Sequence, residues 1–119
     1  MAKNYIKPGE HMSFTAGANV ASGQAVVIGT LLGVALCAVL NGEKGEAAIE
    51  GVWELPKLST AVITQGARLT WDVSAGEFIV ASAAVGDLEN CAVAETAAGN
   101  GVATVRARLC PGAGTVKAS

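Results

Sequence analysis

The sequence predicts an all-β domain: a small compact barrel or sandwich of about seven to eight short strands, preceded by a flexible N-terminal arm. Three observations predict it. Apolar and polar residues alternate at period two in several short runs, as half-buried strands require. Glycine-based turn signals separate these runs at close intervals. The composition is 51% hydrophobic but only 4% aromatic, carried by alanine, valine and glycine, which suits slim strands and many turns.

Residues 1–12 read as the arm, because they are polar and kinked at Lys7-Pro8-Gly9. Tyr5 and Ile6 are its sizeable apolar residues before Met12. Residues 13–110 read as the β domain and 111–119 as a flexible tail. Met12 to Thr15 makes a first short strand, Gln24 to Ile28 a second and Leu31 to Val39 a third. The apolar run from Ala25 to Leu40 is interrupted by Gly29, Thr30 and Gly33. It is too short for a membrane-spanning helix, which needs about 20 apolar residues, and two strands joined at a glycine turn explain it better. Asn41-Gly42-Glu43-Lys44-Gly45-Glu46 is the strongest turn signal, since Asn-Gly favours the positive φ of tight turns.

The clearest alternation lies in Ala47 to Asp72. Ala47, Ile49, Gly51, Trp53 and Leu55 lean to one side, and Glu50 and Glu54 fall on the other. This predicts a single strand from Ala47 to Leu55, ended by Pro56, which has no N–H to donate. Leu58 to Thr64 is a connection or one short helical turn. Ala67, Leu69, Trp71 and Val73 then alternate with Arg68, Thr70 and Asp72. The two tryptophan-bearing strands read as opposite walls of one core. Ser74-Ala75-Gly76-Glu77 is a hairpin turn, Phe78 to Ser82 a strand, Gly86-Asp87 a turn and Glu89 to Glu95 a strand. Ala97 to Gly101 is a loop. Val102 to Cys110 closes the sheet, with Ala103, Val105, Ala107 and Leu109 inward and Thr104, Arg106 and Arg108 outward. A short echo links Ser22-Gly23-Gln24-Ala25-Val26 to Gln65-Gly66-Ala67-Arg68-Leu69, each a polar-glycine turn before a strand. It is too brief to establish two similar halves.

The 119 residues fit one domain. Only 15% are charged, against roughly 25% in soluble domains generally, which predicts surface hidden in an oligomer or larger assembly. A net charge of −2 with scattered basic residues argues against a nucleic-acid partner. Three cysteines without C-x-x-C spacing suit buried free thiols better than a zinc site or disulfide framework. The opening Met1-Ala-Lys-Asn-Tyr has no signal-peptide character.

The chain carries no assembled catalytic pattern. The chain has no Gly-Lys pair for a P-loop and no Gly-x-Ser-x-Gly, and its sole histidine, His11, lies by the arm. Glu50 and Glu54, four apart on one strand, would stand about 13 Å apart. That is wider than the roughly 5–9.5 Å of glycosidase pairs, so they read as surface charges facing Arg68, Arg106 or Arg108. No enzyme activity, cofactor or metal is expected. A second reading is a small ligand- or carbohydrate-binding β module with Trp53 and Trp71 as stacking platforms, although the alternation places both rings on the apolar face.

Several blocks carry a family resemblance: Met1-Ala-Lys-Asn-Tyr, Val20-Ala-Ser-Gly-Gln24, Leu32-Gly-Val-Ala35, Gly45-Glu-Ala47, Glu50-Gly-Val-Trp-Glu-Leu-Pro-Lys57, Gln65-Gly-Ala-Arg-Leu-Thr-Trp-Asp72 and Val105-Arg-Ala-Arg-Leu109. Together they resemble the small tailed-phage capsid decoration proteins, also called capsid cement proteins. The cysteines and the tail after Leu109 depart from that pattern. The resemblance implies a structural virion protein on the capsid exterior, made in the bacterial host cytoplasm. Its partner would be the major capsid protein, it would stabilise the expanded head, and it would form a homotrimer with no membrane or nucleic-acid partner. Asn4, Tyr5, Ile6 and Lys7 of the arm are the expected capsid-binding residues.

Overall fold

The computed structural model describes residues 9–80 and 83–118. Its regular elements are all strands, ten rather than seven or eight: β1 His11–Thr15, β2 Ala25–Ile28, β3 Leu31–Ala35, β4 Lys44–Ala48, β5 Val52–Pro56, β6 Arg68–Asp72, β7 Glu77–Ile79, β8 Leu88–Ala94, β9 Thr104–Leu109 and β10 Thr115–Val116. One sheet has the order β1-β4-β3-β2 and the other β5-β9-β8-β6-β7, with β10 paired to the start of β8. Every strand pairing is antiparallel.

The second sheet closes on itself. Phe78 of β7 bridges in parallel to Lys57, just past β5, and Leu58 N–H donates to the Phe78 carbonyl at 2.8 Å. β5, β9, β8, β6 and β7 thus form a small ring. Its interior holds Leu55, Leu69, Trp71, Phe78, Val105, Ala107 and Leu109, all buried. Trp71 and Phe78 meet edge to face, with centroids 4.8 Å apart, a favoured aromatic geometry. Leu32 and Val34 of β3 join this core from the first sheet.

The expected single strand from Ala47 to Leu55 is two strands in different sheets. β4 ends at Ala48 and β5 begins at Val52, and between them Gly51 adopts φ +101°. That region is open to glycine and costly for other residues. Ile49, Trp53 and Leu55 nevertheless lean inward as the alternation predicts, because both strands turn the same parity to the interior. Lys44 to Glu46, expected in a turn, belong to β4. The third strand stops at Ala35 rather than Val39, and Ala103 is exposed rather than inward.

Both ends differ from expectation. His11, assigned to the arm, pairs with Ala48, and Met12, at the boundary between the arm and the expected first strand, pairs with Ala47. The chain beyond Pro111, expected to be flexible, docks: Thr115 and Val116 pair with Glu89 and Leu88, and Lys117 exchanges backbone hydrogen bonds with Gly86 and Asp87. The run from Ala25 to Ala35 is a hairpin turning at Gly29 and Thr30, as the glycine pattern predicts. No helix among the described residues is long and apolar enough to cross a membrane.

The echo at Gly23 and Gly66 marks a structural duplication. The order β1-β4-β3-β2 matches β5-β9-β8-β6. Registers correspond: Ala25↔Val34 with Arg68↔Val93, Ala35↔Ala47 with Ala94↔Ala107, and His11↔Ala48 with Val52↔Arg108. The turns correspond bond for bond. Val20 and Val39 form a reciprocal bridge, as do Ile63 and Ala98. Gly23 N–H donates to Ala35 O, as Gly66 N–H does to Ala94 O, both at 2.8 Å. Gly42 N–H donates to Ala16 O, as Gly101 N–H does to Ser59 O. Even a side chain repeats: the Ser22 hydroxyl donates to Leu36 O, and the Gln65 amide donates to Glu95 O. Asn41-Gly42 and Asn100-Gly101 are the same turn in the two halves.

Candidate functional site

The halves part company after β2 and its counterpart β6. In the first half the chain turns at once through Gly29 and Thr30 into β3. In the second, Asp72 to Glu89 intervene and supply β7. The chain re-enters the common pattern at a bulge where Asn90 takes φ +59°, a conformation asparagine tolerates better than most residues. Two further residues, Lys57 and Leu58, lie between the end of β5 and the common turn, and they are the residues that meet β7.

Among the described residues, the first half has no equivalent of β7. Its edge strands β1 and β2 face each other across an open cleft of about 440 Å³, lined by Ser13, Phe14, Thr15, Val27, Ile28 and Lys44. Inward residues around it are half-buried. Phe14, Val26 and Ile28 are partly exposed, where their counterparts Leu55, Leu69 and Trp71 are buried. At one rim the Ser13 hydroxyl donates to the Glu46 carboxylate. Exposed aliphatic residues, among them Leu40, Val62, Val80 and Val85, stand elsewhere on the surface.

The candidate chemical residues are dispersed. His11 is exposed on β1. Glu50 lies in the bend between β4 and β5, and Glu54 stands opposite Arg106 on the β5–β9 ladder. Among the described residues, no three His, Cys, Asp or Glu side chains gather in a way that would hold a metal ion. Trp71 is buried and unavailable for stacking, whereas Trp53 is half-buried, its Nε1 donating to the Glu50 carbonyl at 2.8 Å. Asn4, Tyr5, Ile6 and Lys7, the expected capsid-binding residues, lie outside the described residues.

Two buried charged side chains gave no signal in the sequence. Lys57 is 3% exposed and its ammonium donates to the carbonyls of Leu58, Ser59 and Ala61 at 3.0, 3.4 and 2.7 Å. It ties down the connection on which β7 rests. Asp87 accepts from Val73 N–H at 3.3 Å and Ala84 N–H at 2.9 Å, fixing the return from β7 into β8. A buried charge is tolerated only with such partners. Asp72, at the β6–β7 turn, accepts from Ala75 N–H, the Ser74 hydroxyl and Ser74 N–H. The Ala75 N–H chiefly, then the Ser74 hydroxyl, hold its carboxyl below the usual range. Cys91 is buried with its thiol pushed up to about 12 by burial, and Cys37 is exposed. The three cysteines, expected as buried free thiols, are free, but Cys91 alone is buried; Cys37 is exposed and Cys110 half-buried.

A family model described as phage cement protein matches residues 6–109. No protein with curated annotation matches the chain.

Proposed function

Because the chain belongs to the phage cement protein family, we propose that it binds the outer surface of a phage or prophage head and stabilises the expanded shell. The family match across most of the chain carries this reading. The physical character of the chain supports it. A duplicated β body with few charges offers a broad surface with exposed aliphatic residues, and its candidate chemical side chains are dispersed. A protein that binds the expanded shell and not its precursor stabilises the expanded form by mass action, in proportion to RT ln(1 + [L]/Kd).

The partner on this reading is the major capsid protein, the place is the virion exterior, and synthesis is in the bacterial host cytoplasm. Surface hidden between copies accounts for the low charged fraction, and a homotrimer suits a place on a capsid symmetry axis. The test is co-sedimentation of the purified chain with empty heads before and after expansion. Retention on expanded heads, with a rise in their thermal disruption temperature, is the expected result. Equal binding to both head forms, or to neither, overturns the reading.

A further inference from the structure

We propose that the open cleft between β1 and β2 receives residues 4–6 of a neighbouring copy as an inserted strand, in the place that β7 occupies in the second half. The chain itself shows what such a cleft takes. In the second half three residues, Glu77-Phe78-Ile79, join β6 to Lys57 and Leu58 just past the end of β5; the first half presents β2 and the end of β1 in that place. The three residues pair antiparallel to β6 and run parallel to β5, with Phe78 fully buried. An occupant therefore needs a polar residue, an aromatic ring and an isoleucine in succession, in extended form. The segment Asn4-Tyr5-Ile6 has that order, and Tyr5 is the chain's sole tyrosine. Pro8 follows two residues later and ends any pairing, since it has no N–H to give.

The direction of β7 identifies whose segment it is. Ile79 stands level with Leu58, six residues beyond Val52, the counterpart of His11. Ile6 in that place would lie about 20 Å along the cleft from the start of β1, at about 3.3 Å per residue. The five steps from Ile6 to His11 reach at most about 18 Å fully extended, before the chain reverses to enter β1. The segment of the same chain falls short, while that of a neighbour carries no such restriction. Strand addition of this kind draws affinity from main-chain hydrogen bonds and register from the side chains between them. It would bury the half-exposed Phe14 and Ile28, and it assigns Asn4, Tyr5 and Ile6 to a neighbouring copy rather than to the shell.

The test is a photo-crosslinking residue at position 5 in the full chain, with isotopically light and heavy copies mixed and the products read by mass spectrometry. The expected products join a light to a heavy chain, from position 5 to Phe14, Thr15, Val27 or Ile28. Crosslinks only within one chain, to other surfaces, or only to the shell protein on heads each overturn the proposal. A second variant, Tyr5→Asp, is expected to weaken self-association at least tenfold in sedimentation equilibrium with the melting of the body unchanged, and unchanged association overturns it. Head binding is measured separately: a chain that binds heads without the inter-copy crosslink leaves the capsid reading standing and removes this one.

Discussion

The first half of the chain and the second share one strand order and one set of turns, but among the described residues only the second is closed. Leu55, Leu69 and Trp71 are buried where Phe14, Val26 and Ile28 are half-exposed. Gly45 stands where the second half has buried Val105, and a side chain there would run into Val39. The same ladder therefore gives a full hydrophobic interior when a fifth strand is present and a shallow one when it is not. Topology alone does not make a core; the plugging strand and the residues that hold it do.

The largest expected effect comes from removing the plug. Phe78→Ala should cost about 3–5 kcal/mol in urea unfolding, as truncation of a buried aromatic does. Phe14→Ala, made on the chain at concentrations where it does not self-associate, should cost no more than about 1–2 kcal/mol because the ring is already partly exposed to water. Equal losses at both positions would mean that the two halves are equally packed.

Next is Lys57→Met, which keeps much of the side chain's length and removes its charge. Three carbonyls lose their donor, so a loss of about 2–3 kcal/mol is expected, in the range for hydrogen bonds to a charged group. Hydrogen exchange should then accelerate at Leu58 and in β7 before it does in the first half. A neutral result would show that the ammonium is dispensable to ring closure.

The effects of pH vanish near neutrality, and they belong to the second half. Cys91, the counterpart of Leu32, has its thiol raised from 9.0 to about 12 by burial. Its contribution is complete below about pH 9 and is lost as pH rises from there towards 12. Asp72 acts on the acid side. Its carboxyl is lowered from 3.8, so its contribution is present above that value and is lost as pH falls through the lower folded value. Urea midpoints followed across pH should fall at both extremes, and Cys91→Ala should remove the alkaline loss. A thiol reagent at pH 8 should modify Cys37 readily and Cys91 only on unfolding.

Much of this was legible in the sequence. Alternation located most strands, and Asn41-Gly42, Gly66 and Gly76 marked real turns. The family could be read from the blocks around Trp53 and Trp71. The break at Gly51 could not, because the parity of inward residues carries across it, and period-two alternation reports facing without reporting which sheet a strand joins. The duplication was visible only as the echo at Gly23 and Gly66. Equivalent positions hold side chains fitted to different interiors, such as Gly45 and Val105, while the likeness resides in backbone hydrogen bonds. Lys57 and Asp87 gave no signal, since a lone charge beside a turn reads as solvated. The tail's two-residue strand lies in a stretch of small residues that alternation cannot distinguish from a loop.

Hydrogen exchange at β2 compared with β6 tests the central claim, that the first half is an incomplete copy of the second and is completed by a neighbour. In dilute full-length chain, amides of Ala25 to Ile28 should exchange far faster than those of Arg68 to Trp71, and protection at β2 should rise towards that of β6 when the chain self-associates or decorates heads. β2 as well protected as β6 in the dilute chain, or unchanged by assembly, would contradict the account.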